Sequence, residues 1–139
     1  SDVYTRQVFA STSTAEKTAE FAATDADIIV GGHSGLPFGE RIGDSYWLNT
    51  GVIGMPANDG TTDGWFGIIT PESDSSLTFA LKRLAYDAES AAASLQTAGF
   101  AQPYAEALVT GRWPSTDVLP EKERLSSGRP LRDVEQMLA

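Results

Sequence analysis

The feature that most constrains the fold is a short apolar run that ends in glycines. Residues 26–30 read Ala-Asp-Ile-Ile-Val, and residues 31–38 continue as Gly-Gly-His-Ser-Gly-Leu-Pro-Phe. An unbroken β-branched run is typical of a strand covered on both faces, and the glycines that follow it indicate a loop. The pattern therefore predicts a buried strand near 27–31 that delivers a loop carrying His33, the single histidine of the chain.

A second unit of the same kind follows closely. Residues 45–49 read Ser-Tyr-Trp-Leu-Asn and lead into a glycine-rich loop, Thr-Gly-Val-Ile-Gly-Met-Pro, at residues 50–56. Two such units are expected to place both loops at one edge of a sheet. In open α/β sheets the edge formed by the carboxyl ends of the strands is where ligands bind.

Periodicity and capping signals predict the other elements. Ser13 and Glu16 fit a capping box that opens a helix over 14–23, with an apolar face of Ala15, Ala19, Ala22 and Phe21. Asp87 is a suitable N-cap for an alanine-rich helix over 88–98. Further strands are expected near 40–42, 45–49, 64–70 and 76–86, a short helix over 103–108, a helix with Pro120 at its first position, and a last helical turn or two over 132–138.

Composition excludes several classes of function. The formal charge of −9 argues against binding to nucleic acid or to an anionic membrane. No cysteine is present, which excludes disulfides, thiolate zinc sites and cysteine nucleophiles. No run approaches the about 18 apolar residues of a membrane span, so we expect a cytoplasmic protein. Basic residues do gather late but alternate with acidic ones, which favours a solvated helix face: Lys122, Arg124, Arg129 and Arg132.

The two glycine loops resemble a known family. Residues 31–38 look like the last metal-binding motif of calcineurin-like metallophosphoesterases, Gly-His-x-His followed by a small apolar stretch. Residues 48–56 are similar to the Asn-Pro-Gly-Ser-x-Gly-x-Pro segment that follows it in the bacterial phosphodiesterase-like branch. The resemblance covers residues 7 to 100. The family's earlier motifs, Asp-x-His, Gly-Asp, Gly-Asn-His or Gly-Asn-x-Asp, and His-Gly, are absent, so the chain resembles the C-terminal part of such an enzyme.

The resemblance implies a fold and a division of the chain. The fold is α/β: the C-terminal part of a four-layer α/β/β/α sandwich, with mostly antiparallel strands and flanking helices. Residues 1–100 would form the C-terminal half of a metallophosphoesterase-like domain. Residues 101–139 would be a helical extension packing on it. At 139 residues the chain is long enough for a core of useful size.

The resemblance also implies a metal site. His33 matches the first histidine of the motif and would ligate one of the family's two divalent metals, for which Mn, Fe or Zn are expected. Gly32, Asn49 and Gly51 would support that site, Asn49 by holding its own loop and orienting the histidine loop. No residue of this chain matches the family's catalytic motifs. Taken without the resemblance, a lone histidine at a strand end is more often structural than a ligand.

Three positions depart from the family pattern. Gly35 stands where the second histidine would be and supplies no side-chain donor. Thr50 and Val52 replace the usual proline and serine of the second loop. Backbone N–H groups of such a loop can still cradle an anion, and a role in turn geometry alone fits equally well. Ser34 lacks a second histidine to activate it, so it is not expected to act as a nucleophile.

Two functions from different classes are consistent with these residues. The first is a metal-dependent phosphoesterase that hydrolyses a phosphomonoester or phosphodiester, with this chain alone inactive. Its metals would activate a water and stabilise charge on the phosphoryl oxygens. The second is a non-catalytic phosphoesterase-like binding domain with a degenerate metal site. The apolar strand at 27–31 also needs cover, so we expect it to pair with the N-terminal half of the same protein or with a second copy.

Overall fold

The structure, a computed structural model, describes residues 7–73 and 76–138, with the backbone alone for 135–138. Within those ranges helices alternate with strands in the order α1 (Thr14–Thr24), β1 (Ile28–Gly31), β2 (Pro37–Ile42), β3 (Ser45–Thr50), β4 (Gly64–Pro71), β5 (Leu77–Leu84), α2 (Ala88–Thr97), α3 (Gln102–Thr110), α4 (Glu121–Leu125) and β6 (Val134–Leu138).

The strands form two three-stranded sheets. The first has the order β1-β3-β2, in which β1 is parallel to β3 and β2 is antiparallel to it. The second has the order β4-β5-β6 and is antiparallel throughout. The chain is thus a small α/β domain with flanking helices, as the sequence predicted at that level.

One apolar cluster joins the two sheets. Leu48 on β3, Trp65 on β4, and Phe79 and Leu81 on β5 are each at most 1% exposed. Each such side chain stabilises the fold by about 1.5–3 kcal/mol through its removal from water. A second cluster, formed by Phe21, Ile42 and Trp47, lies under α1, and a third, formed by Ala92, Ala105 and Leu108, lies between α2 and α3.

The capping signals are confirmed. The hydroxyl of Ser13 accepts from the Glu16 N–H at 3.3 Å, and the Glu16 carboxylate accepts from the Ser13 N–H at the same distance. The Asp87 carboxylate accepts from the Ser90 N–H at 2.9 Å and opens α2. This hydrogen bond and a second one from the Ser90 hydroxyl at 2.7 Å hold the pKa of Asp87 below its usual value. A side-chain cap satisfies backbone donors that have no partner within the helix.

The buried face of α1 differs from the prediction. The helix buries Lys17 and Phe21, one turn apart, while Ala15, Ala19 and Ala22 stay exposed. Lys17 is fully buried because its ammonium group donates to the Ala10 carbonyl at 3.1 Å and to the Glu40 carboxylate. A buried charge is tolerated when it is paired and hydrogen-bonded, and a count of apolar residues does not reveal such a pair.

The prediction that β1 is buried on both faces is wrong for the described chain. This strand pairs with β3 on one side, and its other edge has no partner among residues 7–73 and 76–138. Ile28 and Ile29 are half-buried, and Val30 is 54% exposed. The apolar run was interpreted from side-chain type alone, whereas burial depends on what packs on each face of the sheet, and the described residues leave Val30 uncovered.

The C-terminal segment also differs from the prediction. Residues 132–138 were expected to form a helical turn, but Val134–Leu138 is strand β6, antiparallel to β5 with Val134 opposite Leu81. The open edge of β5 gives this segment interstrand hydrogen bonds, which outweigh its local helical preference. Pro120 occupies the N-cap of α4 rather than its first position. None of the helices in the described ranges is long and apolar enough to cross a membrane.

Candidate functional site

The two glycine loops leave the first sheet at the same edge. β1 and β3 are parallel, and Gly31 at the end of β1 lies opposite Asn49 near the end of β3. The predicted common edge is therefore confirmed. Parallel pairing is the reason, because it brings the carboxyl ends of the two strands together.

His33 lies at the tip of the first loop and is exposed to solvent. A tight turn shapes this loop, since the Gly35 N–H donates to the Gly32 carbonyl at 2.9 Å. Ser34, the next residue after His33, points the other way and is 2% exposed. The imidazole of His33 is thus free to reach a ligand above the sheet edge, while its neighbour anchors the loop.

Asn49 provides that anchor. Its side chain is 2% exposed, and its Nδ2 donates to the hydroxyl of Ser34 and, at 3.4 Å, to the Val8 carbonyl. Its Oδ1 is buried without a hydrogen-bond partner in the described chain. Asn49 therefore ties the second loop to the histidine loop. The burial of Ser34 beneath this amide also leaves its hydroxyl inaccessible, in line with the expectation that it is not a nucleophile.

Gly51 packs closely against β4, and Gly32 packs closely against Gly51. Gly51 has a φ of +71°, and a β-carbon there would lie 2.8 Å from the β-carbon of Trp65. A β-carbon on Gly32 would lie 3.4 Å from the carbonyl oxygen of Gly51. The Thr50 hydroxyl adds a 3.5 Å contact to the Gly31 carbonyl. A side chain at Gly51 would be opposed by both its backbone conformation and its neighbour.

Gly35 is closed off by a residue far away in the sequence. Its φ is +71°, and a β-carbon there would lie 3.0 Å from Cζ2 of Trp113. The Trp113 indole is held in place, since its Nε1 donates to the Pro56 carbonyl at 2.6 Å and its backbone N–H donates to Asn58 Oδ1 at 2.9 Å. The space that a side chain at position 35 would need is occupied by this ring.

The described residues do not make a complete metal site on their own. No group of three or more His, Cys, Asp and Glu side chains that could hold a metal is found in ranges 7–73 and 76–138. Glu40, close to His33 in sequence, is paired with Lys17. Asp44 is exposed and pairs with Arg41 at 3.4 Å. A metal held by His33 would need its other ligands from elsewhere.

A buried electrostatic node, formed by Asp59, Thr61, Arg83 and Leu131, lies outside the glycine loops. Asp59 is 2% exposed, and its carboxylate accepts from the Thr61 N–H at 3.0 Å, the Leu131 N–H at 2.9 Å and Nη2 of Arg83 at 2.9 Å. Burial raises the pKa of Asp59, but a hydrogen bond from the Thr61 hydroxyl at 2.6 Å and the three donors above outweigh it and hold the pKa below its usual value of 3.8.

The Asp59 node was not anticipated. Residues 58–60 read Asn-Asp-Gly, which is a turn signal and no more. The node joins this turn to β5 and to the segment before β6, which are 24 and 72 residues further along the chain. These contacts fix the turn at 58–60, in which Asn58 Oδ1 accepts from the Trp113 N–H.

Comparison of the chain with protein-family models, with curated proteins and with solved structures finds no match in any of the three.

Proposed function

We propose that this chain is the C-terminal part of a metal-dependent phosphoesterase that hydrolyses a phosphomonoester or phosphodiester. The observation that carries the proposal is the arrangement at the sheet edge. His33 follows β1 and Asn49 lies near the end of the parallel strand β3, where it donates a hydrogen bond to Ser34, directly after His33. This is the relation between the two loops that the resemblance implies: one loop presents a histidine, and the asparagine of the other holds it in place.

In this proposal His33 is a metal ligand, and Gly32, Asn49 and Gly51 position its loop. The remaining ligands and the catalytic groups come from polypeptide outside residues 1–139, because one histidine cannot hold an ion that takes four or more ligands. Two divalent ions, with Mn, Fe or Zn as candidates, would be shared between the two parts. The complete fold would be a four-layer α/β/β/α sandwich of which this chain contributes one portion.

Two exposed apolar features support a missing neighbour. One edge of β1 has no strand partner within ranges 7–73 and 76–138, and it presents backbone groups beside Val30, which is 54% exposed. The alanine side of α1, the helix preceding β1, is also exposed: Ala15, Ala19 and Ala22. A strand and helix from the N-terminal half of the same protein would cover both features and satisfy the backbone edge. A second copy of the chain is the alternative source of that cover.

The enzymatic proposal is tested on the protein that contains this chain together with its N-terminal half. We expect hydrolysis of bis-p-nitrophenyl phosphate or p-nitrophenyl phosphate in Mn²⁺, and His33→Asn should lower kcat by more than the about 10–100-fold typical of residues around a metal's ligand set. Asp44→Asn is the matched control, because Asp44 is exposed and lies in the turn between β2 and β3, outside both glycine loops. Activity that survives His33→Asn would contradict the proposal.

Residues 1–139 alone give a complementary result. We expect no tightly bound divalent ion by elemental analysis and no turnover of either phosphoester. Turnover by the isolated chain that His33→Ala abolishes would contradict the division of ligands between two parts. Light scattering after size exclusion should show that the chain self-associates, or that it captures the N-terminal half when that half is added as a separate fragment. A monomer that is unchanged by dilution and melts cooperatively would contradict the missing-neighbour argument.

A specific observation favours a second candidate, a non-catalytic phosphoesterase-like binding domain. The Trp113 ring lies beside Gly35, where the resemblance places a second metal-binding histidine. A histidine there would need both a left-handed backbone and displacement of this ring. If this second candidate is correct, the protein that includes the N-terminal half should bind no metal. His33→Ala should then leave its stability unaltered.

A further inference from the structure

A cavity of about 170 Å³ lies away from the tip of the histidine loop. Its apolar wall consists of Leu36, Phe38, Ala57 and Leu131. Ala57 is 4% exposed and belongs to the main core, so this wall is part of the rigid body of the domain. A cavity of about 150 Å³ lined by apolar side chains is large enough to bind benzene. The cavity therefore has room for one aromatic ring or a branched aliphatic group.

Two basic side chains also line this cavity. Lys122 on α4 and Arg129 in the segment that follows are exposed, and neither side chain has a hydrogen bond or ion pair with any described residue. Lysine and arginine side chains that lie free beside an apolar wall can meet an anionic group while the wall covers an apolar one.

The acidic groups lining the cavity are already engaged. Asp59 is paired with Arg83, and the Glu123 carboxylate accepts from the N–H of Ser11 at 2.9 Å and from its hydroxyl at 2.6 Å. If the Asp59–Arg83 pair is counted as neutral, the lining carries two positive charges, on Lys122 and Arg129, and one negative charge, on Glu123. The lining is thus locally positive in a chain whose formal charge is −9.

We propose that this cavity binds a small organic acid with an aromatic or branched apolar body, whose carboxylate meets Lys122 and Arg129. The site is independent of the metal chemistry proposed above, because His33 does not line it. A single planar carboxylate suits the guanidinium of Arg129, which can donate two parallel hydrogen bonds. A ring or branched chain suits the volume and the apolar wall.

The test uses benzoate as the probe and benzyl alcohol as its uncharged counterpart. Each is titrated into isotopically labelled chain while the methyl signals of Leu36, Ala57 and Leu131 are followed by NMR. We expect saturable shifts in these signals, and benzoate should bind about 2–30-fold more tightly than benzyl alcohol, as two partly exposed charge contacts allow. Shifts that map elsewhere, or equal affinity for the two probes, would overturn the proposal.

Charge-removing variants sharpen the result. Lys122→Gln and Arg129→Gln should each weaken benzoate by about 1.4–5-fold and leave benzyl alcohol unchanged. Arg124→Gln is the matched control, because Arg124 is exposed on the same helix but does not line the cavity. All three positions are on the surface, so the fold should survive each change. If Arg124→Gln weakens benzoate as much as Lys122→Gln does, the effect is general electrostatics and the site is refuted.

Discussion

Replacement of Arg83 by methionine should destabilise the fold strongly, because among the described residues Arg83 is the cation paired with buried Asp59. The guanidinium donates to Asp59 at 2.9 Å, to Asp63 at 3.2 Å and to the Thr61 hydroxyl at 2.6 Å. It also donates to the Leu131 carbonyl and lies over the Trp65 ring, 4.7 Å from its centroid. Methionine keeps much of the apolar stem but none of these donors.

The magnitude follows from what Asp59 retains. Removing one partner of a buried ion pair costs about 3–5 kcal/mol. The Arg83 side chain is 23% exposed, and Asp59 keeps three donors, the Thr61 N–H and hydroxyl and the Leu131 N–H. Both facts favour the lower end of the range, about 3 kcal/mol at neutral pH. For a chain of this length that loss lowers the melting temperature by about 10 °C.

The assay is urea unfolding followed by tryptophan fluorescence, with Arg41→Met as the matched control. Arg41 also pairs with an aspartate and lies 5.7 Å from an aromatic centroid, that of Tyr46. Its side chain is 61% exposed, so solvent screens the pair and the variant should unfold close to the wild type. Equal losses in the two variants would refute the argument that burial gives the Asp59 pair its strength.

Acid provides a second check on Arg83. The pKa of Asp59 in the folded state lies below 3.8, so its ionised form stabilises the fold above pH 3.8, and this contribution is lost as the pH falls through the folded value. The difference in unfolding free energy between wild type and Arg83→Met should therefore shrink on acidification below 3.8. A difference that stays constant would mean that the lost stability comes from packing on Trp65 and not from the ion pair.

Three further predictions concern other parts of the fold. Gly51→Ala should lower the free energy of unfolding by about 2–4 kcal/mol, because its β-carbon would meet the β-carbon of Trp65 at 2.8 Å in a left-handed conformation. Gly43→Ala is also left-handed but has open space around it, so it should cost about 1–2 kcal/mol, and equal losses would contradict the steric argument. Glu40→Gln should destabilise more than Lys17→Met, because it leaves a fully buried ammonium without its carboxylate, whereas Glu40 is 33% exposed and can be hydrated; chemical denaturation of both variants tests the order. Burial and the nearby Asp63 carboxylate raise the pKa of Tyr86 above 10.0, so the stability of the fold should fall as the pH rises through that raised value. Tyr86→Phe should flatten this alkaline decline, which thermal melts at increasing pH measure.

Much of the local structure could be predicted from the sequence, because its signals act over a few residues. The capping box of Ser13 and Glu16 and the Asp87 cap are contacts between residues three apart, and they begin helices where expected. Gly43 has a φ of +62° in the turn between β2 and β3, which falls between the strands expected at 40–42 and 45–49. The common edge of the two glycine loops also followed from the sequence, since two apolar strands that each end in glycine have few ways to share a sheet.

Contacts between distant residues could not be predicted in this way. The burial of Lys17 depends on Glu40, which is 23 residues away, and β6 exists because the edge of β5 is open to it. At the candidate site, the sequence showed that Gly35 lacks a side-chain donor, but not that the Trp113 ring fills the space beside it.

Local sequence signals set where helices and turns begin, and that His33 and Asn49 come at the ends of two apolar strands, because backbone propensities and side-chain caps operate within one or two turns of chain. The tertiary fold sets which faces are buried, which charges are paired and which strand edge lacks a partner among the described residues. Those outcomes depend on sheet register and on packing between segments tens of residues apart. Arg83 shows the difference: it is one basic residue in a strand until the fold brings Asp59 and Leu131 to it.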